Sequence, residues 1–279
     1  MDHAAEDSST QPFVSVVVPT ANRPAVLADC IDSLSAQDYP SYEVVVVDNG
    51  SSASAVAAHP LVSYLRLPQR DANAARNAGI EASRGDPICL VDDDVVAPPG
   101  WLAGLVAGAC RNPDADCLGG GIRSRFESEP PRTCHRHELA GVSLDGGPED
   151  FEASEVWGGN MAIRRAAYES VGPFKPGLRR HQEWEWEQRL LRRGGRIVYV
   201  HDAWLWHRRS GRDMRVHTLL GEFFLRGYTK ASLGFQVDGR RTLARGLENL
   251  RHGVTGRCVR GLEEAARDAG LLCAALLRR

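Results

Sequence analysis

The chain has 279 residues, 43% hydrophobic and 25% charged, with a net charge of -2. That composition is ordinary for a soluble globular protein and gives no overall signature for nucleic acid. No apolar run is long enough to span a bilayer, and the length allows one large α/β domain or one domain with an appendage. Residues 1–12 read as a disordered polar leader, without the basic start or apolar core of a signal peptide. The 7 Cys are scattered and odd in number, which suggests reduced thiols and a cytoplasmic protein.

Phe13-Val14-Ser15-Val16-Val17-Val18 is a β-branched run stopped by Pro19, the pattern of a buried first strand. A turn follows, Thr20-Ala21-Asn22-Arg23, and Pro24 suits the first position of a helix that carries Leu27, Ile31 and Leu34 on one face. The next strand, Glu43 with four valines behind it, ends on Asp48-Asn49-Gly50-Ser51-Ser52. A strand, helix, strand unit of this kind puts Thr20 and Asp48 at one edge of a parallel sheet, where a nucleotide pocket can form. A dinucleotide-binding oxidoreductase would carry glycines after the first strand, and this turn has none. A sugar-nucleotide pyrophosphorylase would want a glycine-rich basic loop there, so it loses ground too.

Residues 61–67 form a weaker strand and Asn73-Ala74-Ala75-Arg76-Asn77-Ala78-Gly79-Ile80 an alanine-rich helix. Arg76 on it is either an exposed charge or a clamp for a diphosphate. Then comes an apolar run ending in three carboxylates, Cys89-Leu90-Val91-Asp92-Asp93-Asp94. Adjacent acids repel, so a folded chain keeps them close only against positive charge. A divalent cation carrying phosphate oxygens would supply it; the alternative is a solvated acidic turn capping the helix near Trp101.

These segments, in this order and spacing, resemble family-two glycosyltransferases of the GT-A fold, and the resemblance runs to about Arg208. It implies an α/β fold, a Rossmann-like, mostly parallel sheet flanked by helices over residues 13–210; beyond it, residues 211–279 read from their own pattern as a helical appendage. It also implies a nucleotide-diphosphate sugar donor, a divalent metal (Mn2+ or Mg2+), and inverting transfer to a carbohydrate, lipid-linked or small-molecule hydroxyl. By the resemblance Pro19, Thr20, Asn22, Arg23, Asp48, Arg76, Asp92 and Asp93 serve the donor, with Thr20 and Asp48 holding base and ribose and Asp92 facing the ribose. Asp94 would bind the metal, and His207 would lie near the metal or diphosphate. The family often carries another acid after Ser52, where this chain reads Ala53-Ser54-Ala55.

Residues 101–109 read as a helix, 117–122 as a strand and 124–150 as a loop excursion. Within the excursion, Cys134-His135-Arg136-His137 has a superficial look of zinc ligands, but a structural site needs a second ligand pair at suitable spacing and none is evident. The paired glycines of Trp157-Gly158-Gly159-Asn160 allow close backbone approach to a ligand or make a tight turn before the next helix.

His181-Gln182-Glu183-Trp184-Glu185-Trp186-Glu187-Gln188-Arg189 has the acidic start and basic end of a helix aligned with its dipole. Inverting transfer needs a carboxylate to deprotonate the acceptor. The family's acidic pair aligns with Gln182-Glu183, so the base falls on Glu183, with Glu185 in reserve. Gln182 departs from the pattern, since an amide cannot be a base; it keeps open a catalytically silent nucleotide-sugar binding module. Trp184 and Trp186 are either acceptor platforms or core residues. Beyond Arg208 the chain reads as helices, with a basic stretch from Arg240 to Arg260 and an apolar end. Such a tail packs on the catalytic domain, on a second subunit, or peripherally on an anionic membrane.

Overall fold

The computed structural model describes residues 11–51, 60–134, 139, 143–178 and 180–277; residues 1–10 of the expected leader, residues 52–55 and residues 135–137 lie outside them. The first unit is β1 (Val14–Thr20), α1 (Pro24–Ser35), β2 (Tyr42–Asn49) and β3 (Val62–Leu67), followed by α2 (Ala72–Ala82) and the acidic strand β4 (Ile88–Val91). Pro19 does not stop β1 as the sequence suggests. It pairs with Val47 on β2, whereas β4 pairs with β1 only as far as Val17. The missing N–H therefore falls where one side of the strand has no ladder to lose.

The short β5 (Val95–Val96), α3 (Trp101–Arg111), β6 (Cys117–Phe126), β7 (Phe151–Glu152), β8 (Asn160–Ile163), α4 (Arg165–Val171), α5 (Gln182–Arg192) and β9 (Ile197–Arg209) complete the α/β part. The sheet runs β3-β2-β1-β4-β8-β6-β9-β5, with β7 also on β9. β3, β2, β1 and β4 are parallel, as are β6 and β9, while β8 lies antiparallel between β4 and β6. The excursion after residue 124 starts later than the sequence suggests, because β6 continues to Phe126 alongside β9.

Alternation along the valine runs divides the core between the two faces of the sheet. Val16, Val18, Val44 and Val46 pack under α1 and α3 with Leu27, Leu34, Trp101 and Leu105. Val17, Val45 and Val47 face α2, α4 and α5 with Ile80, Tyr168, Trp186 and Leu190. Two buried asparagines lock these layers. Asn160 donates to Gly121 O at 2.9 Å and Ala203 O at 2.7 Å, and accepts from Trp101 Nε1 at 2.9 Å. Asn77 donates to Phe174 O at 2.8 Å and accepts from Phe174 N at 2.9 Å.

Three longer helices follow: α6 (Val216–Ser232), α7 (Gly239–Thr255) and α8 (Val259–Leu277). α6 and α8 cross with their backbones in contact. A Cβ on Gly270 would stand 2.1 Å from Phe224 O, and one on Gly227 would stand 2.0 Å from Arg267 O, so only glycine permits the crossing. Asp238 caps α7 by accepting from Arg240 N and Arg241 N, each at 3.1 Å. α7 leaves Leu243, Leu247, Leu250 and Val254 exposed at helical spacing. Among the described residues no helix is long and apolar enough to cross a membrane.

Candidate active site

The carboxyl ends of β1, β2 and β4 meet at one edge of the sheet, and a cleft of about 1100 Å3 opens between that edge, α5 and the helices α6 to α8. Arg23, Arg76, Asp92, Asp94, Glu183 and His207 all line it, gathered from positions 23 to 207.

The three consecutive acids have different surroundings. Asp93 is buried, accepts from Thr20 Oγ1 at 2.7 Å and pairs with Arg23. Burial and the adjacent Asp94 and Asp92 push its carboxyl up to about 6, against the pull of Arg23 and Thr20. Asp92 and Asp94 face the cleft instead. Burial raises the Asp92 carboxyl, but His207, Arg76 and Arg23 outweigh it and hold the group well below the usual carboxylate range. Arg76 Nη2 lies 3.3 Å from Asp92 Oδ1, and Arg23 Nη1 donates to Asp94 Oδ2 at 2.8 Å. Arg76 is buried, which removes the exposed-charge reading of its side chain.

His207 comes from β9, which runs antiparallel to β5 just beyond the acids, with Val95 opposite His207. Its Nδ1 lies 3.0 Å from Arg208 O and donates to it. Nε2 then faces Asp94 Oδ1 at 3.2 Å and Asp92 Oδ2 at 3.9 Å. Asp94 Oδ1 is buried and has no hydrogen-bond partner. Three electron-rich atoms converging on one point need a proton or a cation between them. Aspartate, aspartate and imidazole suit a divalent ion, and all three offer ligand atoms within 4.8 Å of one another. A Cβ on Gly159 would lie 3.0 Å from Asp92 Oδ2, so this glycine lets the β8 turn close over the acids.

Thr20, Asn22 and Asp48 stand at the adjoining strand ends. Asn22 N donates to Ser51 Oγ at 2.9 Å, and Asp48 accepts from Ser51 N at 2.9 Å and from the Tyr64 hydroxyl. Burial raises the Asp48 carboxyl, yet these hydrogen bonds leave it below its ordinary value. Pro19, Thr20, Asn22, Asp48 and Asp93 are not among the cleft-lining residues; they support the edge on which Arg23 and Asp94 stand.

α5 opens on His181, a non-glycine residue at φ 54, whose Nε2 lies 2.8 Å from Arg226 O. That start directs the first turn at the cleft. Gln182 Oε1 accepts from Arg76 Nη1 at 2.9 Å, and Glu183 lines the cleft beyond it. Glu185 faces elsewhere: it pairs with Arg189 at 3.1 Å, which also donates to Val171 O and Pro173 O. Residues two apart on a helix point in different directions, which separates the two glutamates. The tryptophans separate in the same way. Trp186 is fully buried, stacked on Phe174, with Nε1 donating to Gly172 O, and so belongs to the core. Trp184 lines the cleft with Lys230 Nζ 5.2 Å over its ring.

Arg209, Arg226 and Glu187 are among the cleft-lining residues that were not singled out from the sequence. Arg209 lies two residues after His207, and alternate strand residues share a face, so that signal was available. Arg226 comes from α6 with no local motif around it; burial lowers both guanidinium groups. Glu187, one turn after Glu183, is fully buried, accepts from Val156 N at 2.7 Å and has Oε2 unpartnered. Burial pushes its carboxyl well above the usual range.

A sheet edge lined by strand-end carboxylates, a histidine from a closing strand and a cleft lined by both arginines and acids go with a GT-A glycosyltransferase fold. Residues 15–172 match the model for glycosyl transferase family 2, and the chain belongs to that family. It is 27% identical over 206 residues to the glycosyltransferase AglE of Haloferax volcanii, covering 70% of this chain and 67% of that protein. The glucosyl-dolichyl phosphate glucuronosyltransferase of the same organism is 25% identical over 237 residues, 78% of this chain and 76% of its own length. The mannosyltransferase PcManGT from Pyrobaculum calidifontis, solved with GDP-Man and Mn2+, shares the fold with a TM-score of 0.62. It is 18% identical, over 97% of this chain and 77% of that one.

Proposed function

We propose that this glycosyltransferase moves a sugar from a nucleotide-diphosphate donor, UDP-linked, to a hydroxyl acceptor with inversion, using Glu183 as general base. The observation that carries the reading is Asp94 Oδ1, buried without a hydrogen-bond partner beside His207 Nε2 and in the same cleft as Glu183. Asp94 and His207, with Asp92 beside them, would hold a divalent Mn2+ or Mg2+. That metal, when bound, supplies Lewis-acid stabilisation of the departing diphosphate.

The chain's own residues do the rest. Arg23 and Arg76 attract and orient the anionic donor from two sides of the acidic edge. Thr20 and Asp48, buried behind the lining, brace the strand ends against which base and ribose would lie. Glu183 takes the acceptor proton as the new C–O bond forms, which leaves the oxygen nucleophilic when it attacks. Gln182 holds Arg76 through its amide oxygen, so the family's acid at this position is replaced by a neutral acceptor for the same arginine. Trp184 offers an apolar edge near Lys230 for a carbohydrate or lipid-linked acceptor.

Thermal stabilisation by a panel of nucleotide sugars, with and without Mn2+, tests this reading, because ligands selective for the native state raise apparent stability by mass action. UDP-sugars are expected to stabilise the protein, and more with Mn2+ than with chelator. Stabilisation by GDP-sugars alone would transfer the donor assignment to guanosine. No metal-dependent stabilisation by any nucleotide would remove the metal-assisted reading.

A further inference from the structure

A second cluster of metal-type ligands lies away from the acidic edge, where the segment after β6 crosses the corner between α7 and α8. Cys134 Sγ lies 3.5 Å from His252 Nε2, and Cys134 N donates to Cys258 Sγ at 3.2 Å. Ligand atoms of Cys134, His252 and Cys258 all fall within 4.8 Å of one another. The backbone builds this corner without help from a ligand. Gly256 N donates to His252 O at 2.9 Å to close α7, and Arg257 at φ 46 reverses the chain. Cys258 N then donates back to Gly253 O at 3.0 Å, and Val259 N reaches Arg132 O at 3.1 Å.

We propose that Cys134, His252 and Cys258 bind a zinc-type cation that fastens the segment after β6 to the α7–α8 corner. Two thiolates and an imidazole are a borderline-soft donor set, unlike the carboxylate-rich set of Asp92, Asp94 and His207. Bonds of about 2.3 Å to sulfur and about 2.1 Å to nitrogen, at a tetrahedral angle, put the two atoms roughly 3.6 Å apart. The Cys134–His252 distance matches that spacing already. Three protein ligands leave a fourth position for water. The consequence is mechanical. α6, α7 and α8 form one wall of the cleft, and a cross-link at their corner fixes that wall to the strand beside the acids.

The full chain, purified with reductant and Zn2+, provides the test through metal content and Co2+ titration, neither of which depends on glycosyl transfer. About one tightly held Zn2+ per chain is expected, lost in Cys134→Ser and in Cys258→Ser but kept in Asp94→Asn. Co2+ added to metal-free Asp94→Asn protein should give a thiolate-to-cobalt charge-transfer band and the visible bands of a tetrahedral ion, which need no folded variant of the cysteines. Absence of the thiolate band would overturn the proposal. So would Zn2+ retained after loss of both cysteines, or a Cys134–Cys258 disulfide in the reduced preparation.

Discussion

The cleft has two walls of different construction. The sheet wall ends strands buried on both faces: Val16, Val17, Val46 and Val47 are fully enclosed, and every strand beside the acids is tied into a ladder. The helical wall is α6 to α8, held by two glycine contacts at one crossing and by ion pairs such as Arg245–Asp268 at 2.6 Å. Its middle helix keeps Leu243, Leu247, Leu250 and Val254 in solvent. Asp92, Asp94 and His207, the groups proposed to hold the metal, stand on the sheet wall. Arg226 and Lys230 stand on the helical wall. The ion-binding candidates and the cleft cations of α6 thus come from different walls.

The largest effect that could break this contrast is at Asp94. Asp94→Asn keeps the size of the side chain on the sheet wall, so it should fold with an unchanged melting temperature. It is expected to lose several kcal/mol of transition-state stabilisation, on the order of a thousandfold in turnover, together with most Mn2+-dependent binding of UDP. Nucleotide titration with and without Mn2+ checks this; unchanged metal dependence would remove Asp94 from the metal.

On the other wall, Gly270→Ala should act through stability rather than chemistry. The added methyl meets Phe224 O and must push α8 off α6, at about 1–3 kcal/mol. Hydrogen exchange is expected to rise in α6 and α8 while β1, β2 and β4 keep their protection. Equal loss of protection in the sheet would mean that the two walls unfold as one unit.

A smaller, pH-dependent effect belongs to Glu187, at the joint between the walls. Its native carboxyl holds a proton above the range in which an unfolded glutamate, near 4.3, releases it. The native state therefore binds more protons than the unfolded state there, and stability falls as pH rises through that window, by up to about 1.4 kcal/mol per unit. Glu187→Gln keeps the oxygen that accepts from Val156 N and has no proton to lose. Its melting temperature should fall less than the wild type's between pH 5 and 8. Parallel curves for the two proteins would mean that Glu187 is ionised in the native state.

The sheet wall was legible because its signals are local. Each valine run, with the polar residues that end it, lies within a few positions, and the acids are consecutive at 92–94. Register was less so: Pro19 reads as a stop, and only the β4 pairing that ends at Val17 shows why the strand passes through it. Trp184 and Trp186 could not be sorted from sequence, since which face of α5 meets the core depends on where Phe174 lies. The same holds for Arg226, whose position follows from the crossing of α6 over the cleft. The cysteine cluster is the extreme case. Cys134 reads as half of a ligand set, and its partners lie 118 and 124 residues away.

The most direct measurement of glycosyl transfer at this site compares Glu183→Gln with Glu185→Gln, by donor titration and by single-turnover rates with an identified acceptor. Glu183 lines the cleft, whereas Glu185 is spent on Arg189. Glu183→Gln should bind donor nearly as the wild type does and turn over about two orders of magnitude more slowly or worse, as expected for loss of a general base. Glu185→Gln should keep most of its turnover and lose a little stability. Normal turnover in Glu183→Gln, with Glu185→Gln inactive, would contradict the assignment and move the base two residues along the helix.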